Sequence, residues 1–391
     1  MDDLRATPSS CFSTSETEGQ RYPQVVDLFS GAGGLSLGAA RAGFAIRGAV
    51  ENDPHAIDTH KRNFPHTRHI PMSVSDITGT ELRRLLALNN GDLAGIIGGP
   101  PCQGFSEIGK RNRDDPRNNL FPEFFRIVSE ARPKFFLAEN VPRIMHRNNS
   151  DILSHAFSYV EENYDIIKDL TITASDYGAP TTRTRSFFFG SLKDEIEPLT
   201  KEDFLPPSNV KKVTVKEALQ GLPEKIDPEW QAEEQSWQHV GEYGTGYYAS
   251  RLKDHKPVGM GDPLALKRLK KEHLVSGCYG TVHTKEVLVR YAELKPGKWE
   301  RVSRTVRLDP DGFCPTLRAG TGSDHGSYQA LRPIHPTEDR VITPREAARL
   351  QGFPDWFRFS PTKWHSFRQI GNSVSPIVAE RLMNVIQKTL E

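Results

Sequence analysis

A short apolar run followed by a loop of glycine and proline constrains the fold of this chain more than any other stretch. The run covers residues 93–97 and the loop covers residues 98–106. The run is typical of a buried parallel strand, and the adjacent glycine pair and proline pair stop any strand or helix after it. Open α/β sheets place their chemistry at the carboxyl ends of strands. Cys102, at the loop's centre, is therefore a candidate nucleophile, although a lone cysteine is more often a small buried hydrophobic residue.

A glycine turn separates the first predicted strand, residues 24–29, from a helix of small residues. Strand, glycine turn and helix are the arrangement that holds nucleotide cofactors, because glycine lets the backbone approach the ligand and the helix offers free N–H groups. The turn carries Gly31 and Gly33, but Ser36 stands where the dinucleotide pattern needs a third glycine. A dinucleotide is therefore disfavoured, and the turn alone is a weak signal for any cofactor.

Acidic residues follow the second and third predicted strands. The second strand, residues 44–50, ends in Glu51, a position at which an acid commonly receives ribose hydroxyls. Asp53, followed by proline, is expected to cap the next helix. Glu51 is left without a local structural role, so we assign it to a cofactor. Asp76 with its apolar neighbour Ile77 suits an adenine, and an ordinary turn aspartate is an equal alternative.

Charged residues also follow the later strands. The strand predicted at residues 134–138 ends in Glu139, which can hydrogen-bond or protonate a substrate ring, or pair with a neighbouring arginine. Arg183 and Arg185 stand at alternate positions of the next loop, and alternate residues of an extended chain face one side. Two such guanidinium groups suit a phosphate or a carbonyl oxygen. Residues 186–190 are predicted to be the last strand.

Length and composition exclude several protein classes. A chain of 391 residues is long for one core, so two domains are expected. The net charge of +1 means that any nucleic-acid surface must be local. The four cysteines form no C-x-x-C pair or zinc-type cluster, which argues against a disulfide framework or a structural zinc. The sequence has no apolar run long enough to cross a membrane and no signal peptide, so a cytoplasmic location is expected.

The region from about residue 195 to 335 is rich in proline and charge, and it divides by sign. Residues 195–240 hold 5 Lys/Arg and 10 Asp/Glu, whereas residues 251–307 hold 14 Lys/Arg and 6 Asp/Glu. Tyrosines and Trp299 lie in or beside the basic part. Basic residues interleaved with aromatic ones fit a nucleic-acid surface, with a merely solvated face as the alternative.

Regular structure is predicted again near the C-terminus. Thr343 as cap, a proline at the first helical position and Gly352 as stop predict a short helix over residues 344–351. Ser375 and Pro376 open a last helix. Its apolar side carries Ile377, Val378, Leu382 and Ile386.

Six motifs, in order along the chain, resemble those of the cytosine-5 DNA methyltransferase family. They are the cofactor loop at residues 27–34, the nucleophile motif at 100–103, the carboxylate motif at 139–141, the paired arginines at 183–185, and two closing motifs at 343–352 and 371–374. The resemblance implies an α/β fold: a Rossmann-like, S-adenosylmethionine-dependent methyltransferase sheet with a second, smaller target-recognition domain.

The resemblance also implies a reaction. The thiolate of Cys102 adds to C6 of a flipped-out cytosine in duplex DNA, and C5 then takes a methyl group from S-adenosylmethionine. Glu139 holds or protonates N3, and Arg185 binds the O2 carbonyl with Arg183 beside it. No metal is required.

Further site residues carry over from the family position by position. The expected cofactor contacts are Phe29, Gly31, Gly33, Glu51 on the ribose, Asp76 and Ile77 on the adenine, and Pro101, Leu120, Asn372 and Val374 as walls. The expected substrate or DNA contacts are Gln103, Ser106, Asn140 and Arg345. The last helix is expected to fold back onto the first domain, since Asn372 and Val374 come from the C-terminus.

The implied domains are a disordered tail at residues 1–22, a catalytic and cofactor-binding domain at 23–195, a target-recognition domain at 196–335, and the closing motifs at 336–391. The implied partners are double-stranded DNA and, functionally, a cognate restriction endonuclease. A monomer is the family expectation.

Two alternatives remain open. One is an RNA (tRNA) cytosine-5 methyltransferase of the same fold; the residues at 104–106 and the long middle region favour DNA. The other is a catalytically silent DNA-binding protein, against which the intact Cys102, Glu139 and Arg185 argue.

Overall fold

A mixed β-sheet forms the centre of the computed structural model, which describes residues 22–101, 120–319 and 332–390. Its seven described strands lie in the order β3-β2-β1-β4-β5-β7-β6, and all neighbours are parallel except those that pair with β7. The strands are β1 (Gln24–Leu28), β2 (Ala45–Val50), β3 (Arg68–Ile70), β4 (Leu93–Gly98), β5 (Phe135–Asn140), β6 (Tyr164–Thr173) and β7 (Thr184–Leu192). The predicted α/β fold class is confirmed.

Helices alternate with the strands in the first half of the chain and dominate the second half. Those of the first half are α1 (Gly34–Arg41), α2 (Pro54–Asn63), α3 (Gly79–Leu85), α4 (Leu120–Ala131) and α5 (Ser150–Ser158). The later ones are α6 (Val215–Leu219), α7 (Tyr247–Lys253), α8 (Pro263–Glu272), α9 (Lys285–Ala292), α10 (Pro344–Gln351), α11 (Lys363–Asn372) and α12 (Pro376–Gln387). A small antiparallel pair, β8 (Gln238–His239) and β9 (Leu274–Val275), lies in the middle region.

The sheet is covered on both faces, which explains why its central strands β4 and β5 are buried along their whole length. Val25 and Val26 are both fully buried but belong to different clusters, because neighbouring strand residues point to opposite faces. One cluster contains side chains of α3, α4 and α5. The other contains α1, α10, α11 and α12 together with the apolar residues of the middle region. The middle region therefore packs against the sheet domain through a shared core.

The strand register brings four strand ends into line. Leu28 of β1 pairs with Val50 of β2 and with Gly98 of β4, and Gly98 pairs with Ala138 of β5. These strands are parallel, so the residue that follows each of them lies at the same edge of the sheet. That edge is where the sequence places its candidate chemistry.

The predicted helix boundaries are confirmed where the capping residues are explicit. Asp53 accepts hydrogen bonds from the backbone N–H groups of His55 and Ala56 and caps α2. Thr343 caps α10 in a reciprocal capping box with Glu346, and Gly352 ends this helix at a φ of 94°. The four predicted apolar positions of α12 are all buried.

Other elements differ from expectation. The sequence suggests a strand or strand edge at residues 164–167 and another at 171–173, but these segments form one strand, β6, whose pairing with β7 shifts between Ile167 and Leu170. The polar residues Lys168 and Asp169 occupy this irregularity, so the break in apolar pattern marks a bulge and not a strand end. Helices α3, α5 to α9 and α11 were not predicted, because their apolar spacing is short and mixed with polar residues.

Helix α12 lies directly on α1. A Cβ at Gly38 of α1 would collide with the Cβ of Ala379, and a Cβ at Gly34 would collide with the carbonyl oxygen of Val374. Glycine is therefore needed at both positions for the C-terminal segment to approach this closely.

An ion pair joins α7 of the middle region to α12. Arg251 contacts both carboxylate oxygens of Glu380, at 2.6 and 3.1 Å, and Arg41 of α1 donates to the carbonyl oxygens of Arg251 and His255. Among the described helices, none is long and apolar enough to cross a membrane.

Candidate active site

The residues that follow the four aligned strands form one row. They are Phe29 after β1, Glu51 after β2 and Gly99 after β4, with Glu139 at the corresponding position of β5. The row therefore joins predicted cofactor residues to the predicted catalytic carboxylate. Cys102, Gln103 and Ser106 lie outside the described residues, and Pro101 is the last described residue before them.

Glu139 and Arg185 form an ion pair at this edge. Arg185 lies in β7, which runs antiparallel to β5, and its Nε is 2.7 Å from Oε1 of Glu139. The two side chains keep 16% and 10% of their surface exposed, so the pair is shielded but still open to a ligand. Both sequence interpretations of Glu139 are thus compatible, because the carboxylate that faces the nucleophile loop is also the arginine's partner.

The nucleophile loop approaches this carboxylate closely. A Cβ at Gly99 would lie 3.1 Å from Oε2 of Glu139, which leaves little room for any other residue there. Asn140 donates through Nδ2 to the carbonyl oxygen of Pro100 at 3.3 Å, and its Oδ1 accepts from the N–H of Val141. Asn140 is buried and fastens the start of the loop to the end of β5.

Arg183 does not join the Glu139–Arg185 pair. Its guanidinium is buried and donates to three carbonyl oxygens: those of Leu317 at 3.2 Å, Gly371 at 2.9 Å and Asn372 at 3.3 Å. Burial, with the nearby charge of Arg185, holds the pKa of Arg183 well below its usual range. Arg183 therefore anchors the C-terminal motif to the start of β7.

The backbone of the predicted cofactor loop leaves space for a ligand. Phe29, Gly31 and Gly33 all have positive φ, at 58°, 54° and 101°, and a Cβ at Gly31 would meet no atom within 4 Å. Gly33 is the N-cap of α1 and offers no side chain to the free N–H groups. The hydroxyl of Ser30 is buried and has no hydrogen-bond partner. An open cradle, a free helix N-terminus and an orphaned hydroxyl fit a polar cofactor such as S-adenosylmethionine.

Glu51 has a structural role in its own loop, which was not expected from the sequence. Its Oε2 accepts from the N–H of Gly31 at 2.9 Å, and its Oε1 accepts from those of Asn52 and Asp53 at 2.8 Å. The expectation that Glu51 lacks a structural partner was wrong, because nothing in the spacing reveals that the loop folds back over it. Burial raises the pKa of Glu51. The carboxylate ties the cofactor loop to β2 and remains a candidate for ribose hydroxyls.

The other predicted cofactor residues differ in exposure. Asp76 is exposed at the end of a 3₁₀ turn, Val74–Asp76, while Ile77 is buried in the same cluster against which Phe29 packs. Leu120 begins α4 and is partly buried. Asn372 is exposed at the end of α11.

Val374 lies on the cofactor loop itself. A Cβ at Gly34 would collide with its carbonyl oxygen, as described above, so the C-terminal motif and the first turn of α1 are in contact. Arg183, Arg185 and Val374 also line one small pocket. Residues from three distant parts of the chain therefore meet beside the sheet edge.

Arg345 is far from solvent. Its guanidinium donates to the carbonyl oxygens of Ser276, Pro354 and Phe357, and the residue is only 2% exposed. In this arrangement, its donors bind protein carbonyls and not DNA. The described residues contain no group of three or more His, Cys, Asp or Glu that could hold a metal ion.

Sequence reasoning missed a buried polar chain beneath the cofactor loop. Asp27, Ser36 and His60 are all at most 1% exposed and hydrogen-bonded to one another. These residues belong to three different elements, so no spacing rule connects them. The only hint in the sequence is the serine in place of the third glycine.

Comparison with known proteins yields consistent relatives. The family model for C-5 cytosine-specific DNA methylases matches residues 23–388. The type II methyltransferase M.XorII of Xanthomonas oryzae pv. oryzae is 41% identical over 374 residues, covering 94% of this chain and 85% of that protein.

Two solved structures have the same fold as this chain. A prophage-encoded protein of E. coli, described as a DNA modification methyltransferase, is 50% identical with a TM-score of 0.85, and the match covers 94% of this chain and 99% of that one. The S. pombe Dnmt2 methyltransferase shares the fold at 18% identity and a TM-score of 0.61, over 95% and 100% of the two chains.

Proposed function

The chain belongs to the C-5 cytosine-specific DNA methylase family and is a DNA cytosine-5 methyltransferase, and on this basis we propose how it acts. The target cytosine is flipped out of the duplex, because its reacting atoms are inaccessible inside the base stack. The thiolate of Cys102 then forms a bond to C6 of the ring. The observation that carries this proposal is the row of Phe29, Glu51, Gly99 and Glu139 at one sheet edge.

Glu139 and Arg185 act on the cytosine while the covalent bond forms. Addition of sulfur to C6 pushes the electrons of the C5=C6 bond toward the ring, and charge develops at N3 and O2. Glu139 donates a proton or a hydrogen bond to N3, while Arg185, held 2.7 Å from it, neutralises the charge at O2. C5 thereby becomes an enamine carbon that can accept a methyl group. A water removes the C5 proton afterwards, the C5=C6 bond re-forms as Cys102 leaves as a thiolate, and N3 returns any proton it received to Glu139.

The cofactor loop holds the methyl donor. Family membership implies S-adenosylmethionine, which supplies the methyl group when it is bound. Gly31 leaves open space for it, Glu51 receives its ribose hydroxyls, and Asp76 and Ile77 contact its adenine. Pro101, Leu120, Asn372 and Val374 complete the walls.

The middle region recognises the DNA sequence, and one hairpin in it is suited to base contact. Residues 297–307, here called the 297–307 hairpin, pair in antiparallel fashion through Trp299 and Val306. Glu300 is buried, with 5% of its surface exposed. Its carboxylate accepts hydrogen bonds from the backbone N–H groups of Val302 and Ser303, and these bonds fix the turn. A rigid turn costs little entropy when it binds.

The tip of the 297–307 hairpin projects the groups that read DNA. Arg301 and Arg304 are exposed, and Trp299 and Val302 remain 57% and 70% exposed although they are large and apolar. Arginine reads guanine in the major groove, and apolar side chains contact the methyl group of thymine. We assign the DNA-reading surface of the domain at residues 196–335 to this tip.

Alanine substitution tests this assignment. Arg301→Ala and Arg304→Ala should each weaken specific duplex binding by roughly tenfold to a hundredfold and relax the preference at one base pair. The matched control is Arg84→Ala, an exposed arginine of α3. Equal loss in the control variant, or no loss in either hairpin variant, would contradict the assignment.

A role in restriction-modification follows from the relatives. M.XorII and M.DdeI, which is 32% identical over 403 residues, are both type II methyltransferases. This chain would accordingly protect host DNA in the bacterial cytoplasm from a cognate endonuclease, acting as a monomer.

Bisulfite sequencing of plasmid DNA tests the proposed function. Plasmid is incubated with the protein and S-adenosylmethionine, and protected cytosines should recur within one short motif. The Cys102→Ser variant should still bind DNA but should protect no cytosine from bisulfite conversion. Complete conversion of the plasmid, together with methyl transfer to tRNA, would overturn the choice of DNA as substrate.

A further inference from the structure

Four side chains form an unbroken hydrogen-bonded chain from the surface to the sheet beneath the cofactor loop. Nε2 of His69 lies 2.8 Å from Nδ1 of His60, and Nε2 of His60 lies 3.1 Å from Oγ of Ser36. Ser36 donates to Oδ2 of Asp27 at 2.6 Å. Asp27, Ser36 and His60 are buried, while His69 on β3 is partly exposed and connects the chain to solvent.

The chain satisfies its hydrogen bonds in two proton arrangements. With Asp27 ionised, His69 donates to His60, His60 to Ser36, and Ser36 to Asp27. With Asp27 protonated on Oδ2, every bond reverses, so that Asp27 donates to Ser36 and each residue donates outward. The two arrangements differ by one proton, which enters at Nδ1 of His69 and shifts one proton along each bond.

The inner end of the chain touches the cofactor loop. A Cβ at Gly33 would lie 3.1 Å from Cδ2 of His60 and would collide with the ring of Phe64, on which His60 stacks. Ser36 lies in the first turn of α1, directly after this glycine. His60 and Ser36 therefore support the loop from below.

Burial is the main reason that Asp27 titrates near neutrality. Burial, together with a smaller contribution from the nearby Glu51, raises the pKa of Asp27 to about 7 against the opposing hydrogen bonds of Ser36. Oδ1 of Asp27 has no hydrogen-bond partner, which leaves the ionised form incompletely stabilised. Burial lowers the pKa of His60, and burial with the nearby Lys61 lowers that of His69 to about 4, so both rings are neutral carriers.

We propose that Asp27, Ser36, His60 and His69 form a proton relay that sets the charge beneath the cofactor loop and thereby tunes the preference of the site for S-adenosylmethionine over its demethylated product. These are positioning residues, since none of them is placed on the reacting atoms. The inference rests on the proposed assignment of the loop to that cofactor.

The direction of the effect follows from charge. S-adenosylmethionine carries a sulfonium cation, and S-adenosylhomocysteine carries a neutral thioether in its place. An ionised Asp27 adds negative potential beneath the loop and favours the sulfonium. The ratio of the dissociation constant of S-adenosylhomocysteine to that of S-adenosylmethionine should therefore rise by roughly threefold to tenfold as the pH rises through neutrality.

Calorimetric titration of both ligands at about pH 6 and about pH 8 measures this ratio. Wild-type protein should show the rise, Asp27→Asn should show a constant ratio, and Ser36→Ala should alter the pH range over which it changes. His55→Gln, an exposed histidine of α2 outside the chain, is the control and should behave as wild type. A full pH-dependent rise in Asp27→Asn would overturn the relay.

Nitrogen-15 NMR of histidine gives a second, ligand-free readout. The tautomer of His60 should switch from Nε2–H to Nδ1–H as the pH falls through neutrality, and this switch should be absent in Asp27→Asn. A single tautomer of His60 at every pH would contradict the relay even if the variants bind ligand poorly. Absence of ligand binding by the wild type at both pH values would instead contradict the proposed cofactor site.

Discussion

Two arginine–carboxylate pairs of nearly equal length differ in how much of their bonding capacity remains open. Arg185 lies 2.7 Å from Glu139 at the sheet edge, and Arg349 lies 2.6 Å from Asp355 between α10 and the following loop. The first pair keeps some exposure on both side chains, whereas both side chains of the second are fully buried.

The partners of the second pair explain the difference. Asp355 also accepts from the hydroxyl of Tyr243, and Arg349 also donates to the carbonyl oxygens of Ala218 and Gln220. In the first pair, Oε1 of Glu139 accepts no hydrogen bond from the described residues, and Oε2 lies 3.1 Å from the position that a Cβ at Gly99 would take. A charged pair with an acceptor oxygen that no hydrogen bond occupies is available for a substrate, whereas a pair saturated by protein groups serves the fold.

The largest effect is expected at the open pair. Glu139→Gln should lower kcat by about a hundredfold to ten-thousandfold, because the amide cannot donate a proton to N3 of the cytosine. Its melting temperature should stay near that of the wild type. Glu130→Gln, at an ion pair on the surface of α4, is the matched control and should keep full activity. A Glu139→Gln variant with wild-type turnover would remove the basis of the comparison.

The saturated pair should respond in the opposite way. Asp355→Asn leaves the guanidinium of Arg349 buried without its counter-charge and should lower the free energy of unfolding by about 3–5 kcal/mol. Urea denaturation measures this loss, and methyl transfer per folded molecule should be nearly unchanged. Replacing both partners, as Arg349→Met with Asp355→Leu, should recover much of the stability.

Arg183 shares a feature with each of the two pairs. It is buried like Arg349 but connects β7 to the backbone of Gly371 and Asn372 beside the predicted cofactor site. Arg183→Lys should lose about 1.5–3 kcal/mol of stability. The KM for S-adenosylmethionine should rise more than kcat falls, because the C-terminal wall shifts. An unchanged KM would show that this anchor is purely structural.

The smallest effect is expected at a fully solvated pair. Arg84 and Glu81 of α3 are 3.7 Å apart and largely exposed. Glu81→Gln should change the free energy of unfolding by less than about 0.5 kcal/mol, since water competes for both charges. A larger change in thermal denaturation would mean that charge separation, and not burial, governs the differences above.

Local signals in the sequence predicted the parts of this molecule that local physics decides. The caps at Asp53 and Thr343 were correct because each uses atoms only two or three residues away. The strand ends carrying Glu51 and Glu139 were predicted because apolar runs define buried parallel strands. Their alignment at one edge then follows from parallel pairing.

Long-range partners were beyond these signals. Arg183 is bonded to carbonyl groups more than 130 residues away, and Arg345 is buried by carbonyl groups of two segments. A sequence motif identifies such an arginine without saying whether protein or ligand occupies its donors. Of the three N–H groups from which Glu51 accepts, only that of Gly31 belongs to a loop that returns in the fold, whereas those of Asn52 and Asp53 are local contacts that the sequence analysis overlooked.

Covalent trapping of the enzyme on DNA tests whether the Glu139–Arg185 pair at the sheet edge serves a cysteine nucleophile. Duplex DNA with 5-fluorocytosine at the target position is incubated with protein and S-adenosylmethionine, because fluorine at C5 cannot leave as a proton and the sulfur–C6 bond should persist. Peptide mapping should locate the adduct at Cys102, and Glu139→Gln should slow its formation. An adduct at the buried Cys278 or Cys314, or methyl transfer to unmodified duplex by Cys102→Ser, would contradict the assignment of Cys102 as the nucleophile.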